Sequence, residues 1–332
     1  MKPSQPLPNA MSPPRSCALP HPRPLSRRQC LAAGTALATL PALSALAATA
    51  TAPATSPALL ERRIAADGTQ VPAVGLGTWI TFNVGRDATL RANAVAVMRA
   101  FFAGGGRLID SSPMYGSSQD VVGHGLAALG EQARVYAAEK VWTGSASGGA
   151  AQIEATRALW RLPRLDLVQV HNLLAWEAHL ETLAQLQAEG RVRHVGITTS
   201  HGRRHDELAQ VMQRHRLDVV QLSYNPVETA VEQRLLPLAR ERGIAVIVNR
   251  PFQEGRLLER LAREPLPPWI AELGCDGWAQ AVLKFVLAHP AVSCVIPATT
   301  QVAHVRQNLG AMAGPLPDAA LARRIGAHIR AL

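Results

Sequence analysis

Eight short apolar runs rich in β-branched residues recur from about residue 74 onward, and most are followed by a stretch whose apolar residues return every three or four positions. The runs are VGLGTW (74–79), RLID (107–110), VYAAEKV (135–141), LVQVH (167–171), HVGIT (194–198), VVQLSYN (219–225), IAVIVN (244–249) and VSCVIP (292–297). Helical spacing occupies Thr89–Ala103, Gln152–Leu162, Trp176–Glu189, Glu207–His215 and Trp278–His289. Continuous apolar runs suit strands covered on both faces, and strands alternating with helices require parallel crossovers. Eight such units in about 270 residues predict an α/β fold closed as a (β/α)8 TIM barrel rather than an open doubly wound sheet. Ahead of them, RIAADGTQVP sets Asp67-Gly68 between two extended runs, the signature of a hairpin, which predicts an N-terminal β-hairpin plug across the barrel's bottom. A last helix, roughly Pro317 to Ala331, ends the chain, so no C-terminal loop is expected to close over a pocket.

The chain's 332 residues are 48% hydrophobic and 17% charged, enough to bury a large core. Its formal charge of +10 points toward nucleic acid until it is located. Lys2, Arg15, Arg23, Arg27 and Arg28 stand in residues 1–47 with no acid among them, and no basic block follows. Aromatics make up only 4%, so no basic stripe with stacking residues emerges and no nucleic-acid partner is expected. The same leader runs from Ser26-Arg27-Arg28 through an alanine-rich apolar run to Ala45-Leu46-Ala47. A cationic region, an apolar region and a small-residue cleavage site make a secretory signal, and its start resembles the twin-arginine export motif. The expected organisation is a twin-arginine signal peptide over 1–47, a linker over 48–60 and the barrel over 61–332. That implies the twin-arginine export machinery as a partner and a periplasmic location without stable membrane insertion; an uncleaved membrane anchor facing the periplasm is the alternative. Cys17 and Cys30 fall in the leader, and Cys275 and Cys294 are expected to be buried free thiols.

Arginine serves almost everywhere a cation is needed; the lysines are Lys2, Lys140 and Lys284. An ammonium is compact and its pKa moves on burial, so a lysine ending a strand is a candidate for chemistry, with a snorkelling surface lysine as the alternative. Active sites of such barrels lie at the strands' C-terminal ends. Those ends carry Trp79, Asp110, Lys140, His171, Thr198, Thr199, Gln221 and Asn225, with Tyr115 five residues past Asp110 in SSPMYGSS. An aspartate, a lysine, a histidine and a tyrosine thus converge on one rim. No H-E-x-x-H motif occurs, no metal is expected, and His201 and His205 in HGRRH read as a solvated loop.

Read together, VGLGTW, LIDSSPMYGSSQDVVGHGL, VYAAEKVW, LDLVQVHN, VGITTS, VVQLSYNP and IPATTQVAHVRQNLGA resemble the aldo/keto reductases in order and spacing, across essentially the whole chain after the leader. The resemblance implies a catalytic tetrad of Asp110, Tyr115, Lys140 and His171. It implies reversible hydride transfer between a nicotinamide cofactor and a small-molecule aldehyde or ketone. Tyr115 would be the general acid, its pKa pulled down by Lys140, which Asp110 keeps charged; His171 would orient the carbonyl oxygen. No G-x-G-x-x-G joins a strand to a helix, so the cofactor site is not a Rossmann crevice. Barrels hold phosphate after strands seven and eight. The resemblance accordingly implies Thr299 and Thr300 at phosphate, and Arg306 and Asn308 near the adenosine. It also implies Thr198, Thr199 and Gln221 at the carboxamide, with Thr78, Trp79, Asp110 and Arg250 beside the cofactor. NADP(H) is expected over NAD(H), on Arg306. Ala298 and Asn249 depart from the family's usual basic and aromatic residues, which leaves Arg250 or Phe252 to cover the nicotinamide ring. Trp79, Trp142 and Trp176 are expected to line an open substrate pocket, and the barrel to work as a monomer. A non-catalytic nicotinamide-binding sensor or subunit and a Schiff-base lyase using Lys140 are the alternatives.

Overall fold

The computed structural model describes residues 59–132 and 134–332, so the expected signal peptide and most of the linker lie outside the described residues. The described part begins with a hairpin of β1 (Glu61–Arg63) and β2 (Gln70–Pro72), paired antiparallel. Its turn passes through Gly68 at φ +85°, a conformation glycine adopts without steric cost. Ile64 and Val71 are fully buried in one cluster with Leu108, Tyr136, Leu167, Val219, Ile247 and Cys294 from the barrel interior. The guanidinium of Arg62 ties the hairpin to the Leu287 carbonyl at 2.6 Å. The hairpin plugs the barrel as expected.

Eight parallel strands follow: β3 (Leu76–Gly77), β4 (Leu108–Asp110), β5 (Tyr136–Val141), β6 (Leu165–Val170), β7 (Val192–Thr198), β8 (Val219–Ser223), β9 (Ala245–Asn249) and β10 (Val292–Val295). Each pairs with the next in chain order. The ring closes where Val74 bridges Val295 and Gly77 bridges Ala298, both parallel, with the Gly75 N–H donating to the Val295 carbonyl at 2.9 Å. This is the (β/α)8 barrel that the eight apolar runs imply, and nearly every strand residue is buried.

The helices are α1 (Ala88–Ala103), α2 (Ser118–Leu129), α3 (Gly149–Trp160), α4 (Trp176–Ala188), α5 (His205–Arg214), α6 (Leu235–Arg242), α7 (Arg256–Leu261), α8 (Pro268–Ala271), α9 (Trp278–Ala288), α10 (Val302–Gly310) and α11 (Ala319–Ala331). Asp87 starts α1 by accepting the Leu90 N–H at 2.9 Å, and Val97, Met98, Phe101 and Phe102 supply its buried face. Helical spacing alone does not mark α2, because its contact face carries glycine. A Cβ on Gly123 would lie 2.3 Å from the Leu159 carbonyl oxygen of α3, and one on Gly125 2.3 Å from the Met98 sulfur of α1. Absence of side chains lets three helices approach closely, and it also erases the apolar periodicity. Cys275 and Cys294 are both buried and free. Among the described residues no helix is long and apolar enough to cross a membrane.

Candidate active site

A cavity of about 450 Å³ opens at the strands' C-terminal ends, and its lining includes Asp110, Tyr115 and His171. Lys140 sits beneath it, 1% exposed, its Nζ donating to Asp110 Oδ2 at 2.5 Å and to the Ser111 carbonyl at 2.8 Å. The same Nζ lies 5.0 Å from the centre of the Tyr115 ring. Burial works against the charged form of Lys140, but the Asp110 carboxylate and Tyr115 outweigh it and hold the pKa above its ordinary value. Asp110 is itself fixed through Oδ1, which accepts from Gln221 Nε2 at 2.8 Å and Gln169 Nε2 at 3.2 Å. An uncompensated buried charge would be costly; here every partner is in place.

Tyr115 departs from the sequence expectation. Burial pushes its phenol up to about 12, against the downward pull of Lys140, so the phenol is a firmly protonated donor rather than an acidified one. His171 meets the Tyr115 ring edge-on with centroids 5.6 Å apart. Burial and then Lys140 push its imidazole down to about 2, which keeps it neutral. Its Nδ1 pairs with Ser112 Oγ at 2.7 Å, while that hydroxyl oxygen accepts the Met114 N–H at 3.2 Å. A neutral ring that accepts the Ser112 proton at Nδ1 carries its own proton on Nε2. With Ser112 donating to Nδ1, His171 presents Nε2–H as a hydrogen-bond donor. No motif distinguishes Ser112 from Ser111 in the sequence; the pairing comes from the single 3₁₀ turn at Pro113–Tyr115, which Ser112 caps.

From the tetrad the cavity extends past Thr198, Asn249 and Phe252 to Thr299, His304 and Asn308 around the start of α10. Gln301 precedes α10 without a side-chain cap, which leaves first-turn N–H groups open to an anion. Thr199 Oγ1 and Arg250 Nε are buried without partners. His201 also reaches the lining, pairing with Glu254 at 3.2 Å and with Arg250, so HGRRH is more than a solvated loop. Among the described residues no group of histidine, cysteine, aspartate and glutamate could hold a metal ion.

A model of the aldo/keto reductase family matches residues 73–325. The chain belongs to the aldo/keto reductase family. It is an NAD(P)H-dependent oxidoreductase acting on carbonyl and alcohol groups. It is 32% identical over 259 residues to methylglyoxal reductase YeaE of Escherichia coli, covering 76% of this chain and 89% of that one. The NADH-specific methylglyoxal reductase of Escherichia coli is 33% identical over 85 residues, 26% of this chain and 25% of the relative. Among solved structures, an aldo/keto reductase from Klebsiella pneumoniae in complex with NADP and acetate superposes with a TM-score of 0.68 at 26% identity, over 80% of this chain and 94% of that one.

In this reductase the residues expected at the cofactor divide into two groups. Thr78, Trp79, Asp110, Thr198, Arg250, Thr299 and Asn308 line the cavity. Thr199, Gln221, Thr300 and Arg306 do not. The Gln221 amide is committed to Asp110 and Gln169, and the Thr300 carbonyl accepts from Asn93 at 2.7 Å. Arg306 is exposed on α10. Asn249 stands in the lining instead, its Nδ2 donating to Gln221 Oε1 at 3.2 Å and to the Thr199 carbonyl at 3.0 Å. Of the three tryptophans expected in the substrate pocket only Trp79 reaches it. Trp142 is 40% exposed away from the lining, and Trp176 donates its indole N–H to Glu207 at 3.0 Å while meeting His215 edge-on. The expectation for both is corrected: one follows the strand end outward, the other begins α4 and packs against α5. A cavity that runs from the tetrad to Thr299, open N–H groups near Thr299 and an unpartnered polar atom on Arg250 fit a nicotinamide dinucleotide.

Proposed function

We propose that this reductase converts an aldehyde or ketone to the alcohol with NADPH, and that Tyr115 supplies the proton. When bound, the dinucleotide supplies the hydride that reaches the carbonyl carbon. The observation that carries the reading is the buried Lys140–Asp110 pair beneath Tyr115, with neutral His171 beside it. As the carbonyl oxygen gains negative charge, His171 Nε2–H donates a hydrogen bond to it and the Tyr115 hydroxyl passes it a proton. Lys140 stabilises the phenolate left behind, and Asp110 keeps Lys140 charged throughout. The product alcohol leaves, and the phenolate takes up one proton from solvent before the next turn.

Thr78, Trp79, Thr198, Asn249, Arg250, Thr299 and Asn308 would hold the dinucleotide, its phosphates near Thr299 and the α10 N-terminus. The NADP complex of the Klebsiella relative supports the phosphorylated cofactor, and the NADH-specific relative supports the other. Competitive titration with both decides between them. The open cavity suits carbonyl compounds of varied size, methylglyoxal among them, and the barrel acts as a monomer. Export through the twin-arginine route, read from Ser26-Arg27-Arg28, places the folded enzyme in the periplasm with its cofactor carried along. Tyr115→Phe tests the chemistry: turnover should fall by roughly 10²–10⁴-fold while cofactor binding persists. Undiminished turnover would remove Tyr115 from the mechanism.

A further inference from the structure

The chain after β3 makes a turn that costs the fold energy. The Thr81 N–H donates to the Trp79 carbonyl at 2.7 Å, an i to i+2 bond centred on Ile80, whose φ is +61°. That is the rare and strained form of the γ-turn. A β-branched residue at positive φ is a steric outlier. Burial does not compensate, because Ile80 is 61% exposed. Such strain persists where surroundings over-determine it, and the surroundings here do. Thr78 Oγ1 donates to the Asp110 carbonyl at 2.9 Å on one side, and buried Phe82 donates its N–H to the Thr78 carbonyl at 3.1 Å on the other.

The turn is also stapled to the Tyr115 loop. Asn83 Oδ1 accepts the Ser117 N–H at 3.0 Å, two residues past Tyr115. Between them, Gly116 at φ +62° leaves room only for that amide, since a Cβ there would meet Asn83 Oδ1 at 2.3 Å. Ile80 is consequently held at a set position relative to the Tyr115 loop, on the lining of the cavity that Met114 and Tyr115 also line. Glycine or asparagine would relieve the backbone at this exposed site; an apolar branched side chain would not.

We propose that Ile80 is a specificity-determining residue of this reductase: it is the apolar cap on which the carbon substituent of a bulky aldehyde or ketone packs while the carbonyl faces Tyr115. The inference rests on the carbonyl-reductase reading above. It assigns the substrate class as carbonyl compounds with a branched aliphatic or aromatic substituent.

The test compares kcat/KM for benzaldehyde or isovaleraldehyde with kcat/KM for methylglyoxal in wild type, Ile80→Gly and Ile80→Leu, together with melting temperature and the cofactor Kd from tryptophan quenching. In Ile80→Gly the bulky-to-small ratio should fall at least tenfold, with a melting temperature no lower than wild type and a cofactor Kd within twofold. Ile80→Leu should keep the ratio within about threefold. An unmoved ratio in Ile80→Gly, or a fall shared equally by both substrates, would overturn the assignment. A lowered melting temperature would overturn it too, by making Ile80 a packing residue. Wild type that binds cofactor but reduces none of these compounds would defeat the reductase reading itself, and this inference with it.

Discussion

Tyr115 and His171 have been moved away from neutrality in opposite directions, and together they set how the enzyme responds to pH. Burial raises the phenol to about 12 and depresses the imidazole to about 2. The reductive direction needs a protonated phenol, which is present below about 12, and a neutral imidazole, which is present above about 2. A profile of kcat/KM for reduction should therefore be flat across the range in which the fold survives. A limb between roughly pH 6 and 7, the range of an unperturbed histidine, would show His171 titrating and contradict the structure. The meeting of Asp110, Tyr115, Lys140 and His171 was legible in the sequence because strand ends place them on one rim. Ser112 and the Gln221 amide were not legible, because their roles are set by partners 59 and 111 residues away. Nor was the sign at Tyr115: the neighbouring cation is visible in the sequence order, whereas the burial that outweighs it is not.

At the level of elements, β5 carries a buried cation that the site uses and a buried carboxyl that it does not. Lys140 faces the site, whereas adjacent Glu139 is fully buried with Oε1 unpartnered and Oε2 accepting the Lys140 N–H at 3.0 Å. Burial, opposed by Lys140, raises its carboxyl to about 8 from an ordinary 4.5. Between those values the folded state keeps a proton that the unfolded state has lost, so stability falls as pH climbs from about 4.5 toward 8. Glu139→Gln removes that dependence. Melting curves over roughly pH 5 to 9 should show the variant gaining on wild type as pH rises; parallel curves would place the carboxyl in water. The contact of α2 with α3 gives a second case. Gly123→Ala puts a methyl against backbone that cannot step aside, and chemical denaturation should show a loss of about 1–3 kcal/mol. A neutral result would mean that the two helices are not so close. Periodicity found the helices with apolar stripes, and it passed over α2 because glycine makes that interface.

For the whole molecule, eight apolar runs sufficed to identify the barrel, since a sheet buried on both faces leaves its mark on every strand. The cavity's lining was less legible: proximity to a strand end says nothing of where Trp142 or Trp176 turns. The N-terminal segment makes a separate claim. Replacing Arg27 and Arg28 with lysine should leave the reductase folded and active in the cytoplasm, with little in the periplasmic fraction. Unchanged periplasmic recovery would rule out the twin-arginine route.

The most direct test of the central claim is titration of the folded domain with NADPH and NADH by tryptophan quenching, followed by turnover of methylglyoxal and larger aldehydes in wild type and Tyr115→Phe. The account expects saturable binding in both proteins and aldehyde-dependent cofactor oxidation in wild type alone. Binding in both with turnover in neither, or equal turnover in both, would contradict it.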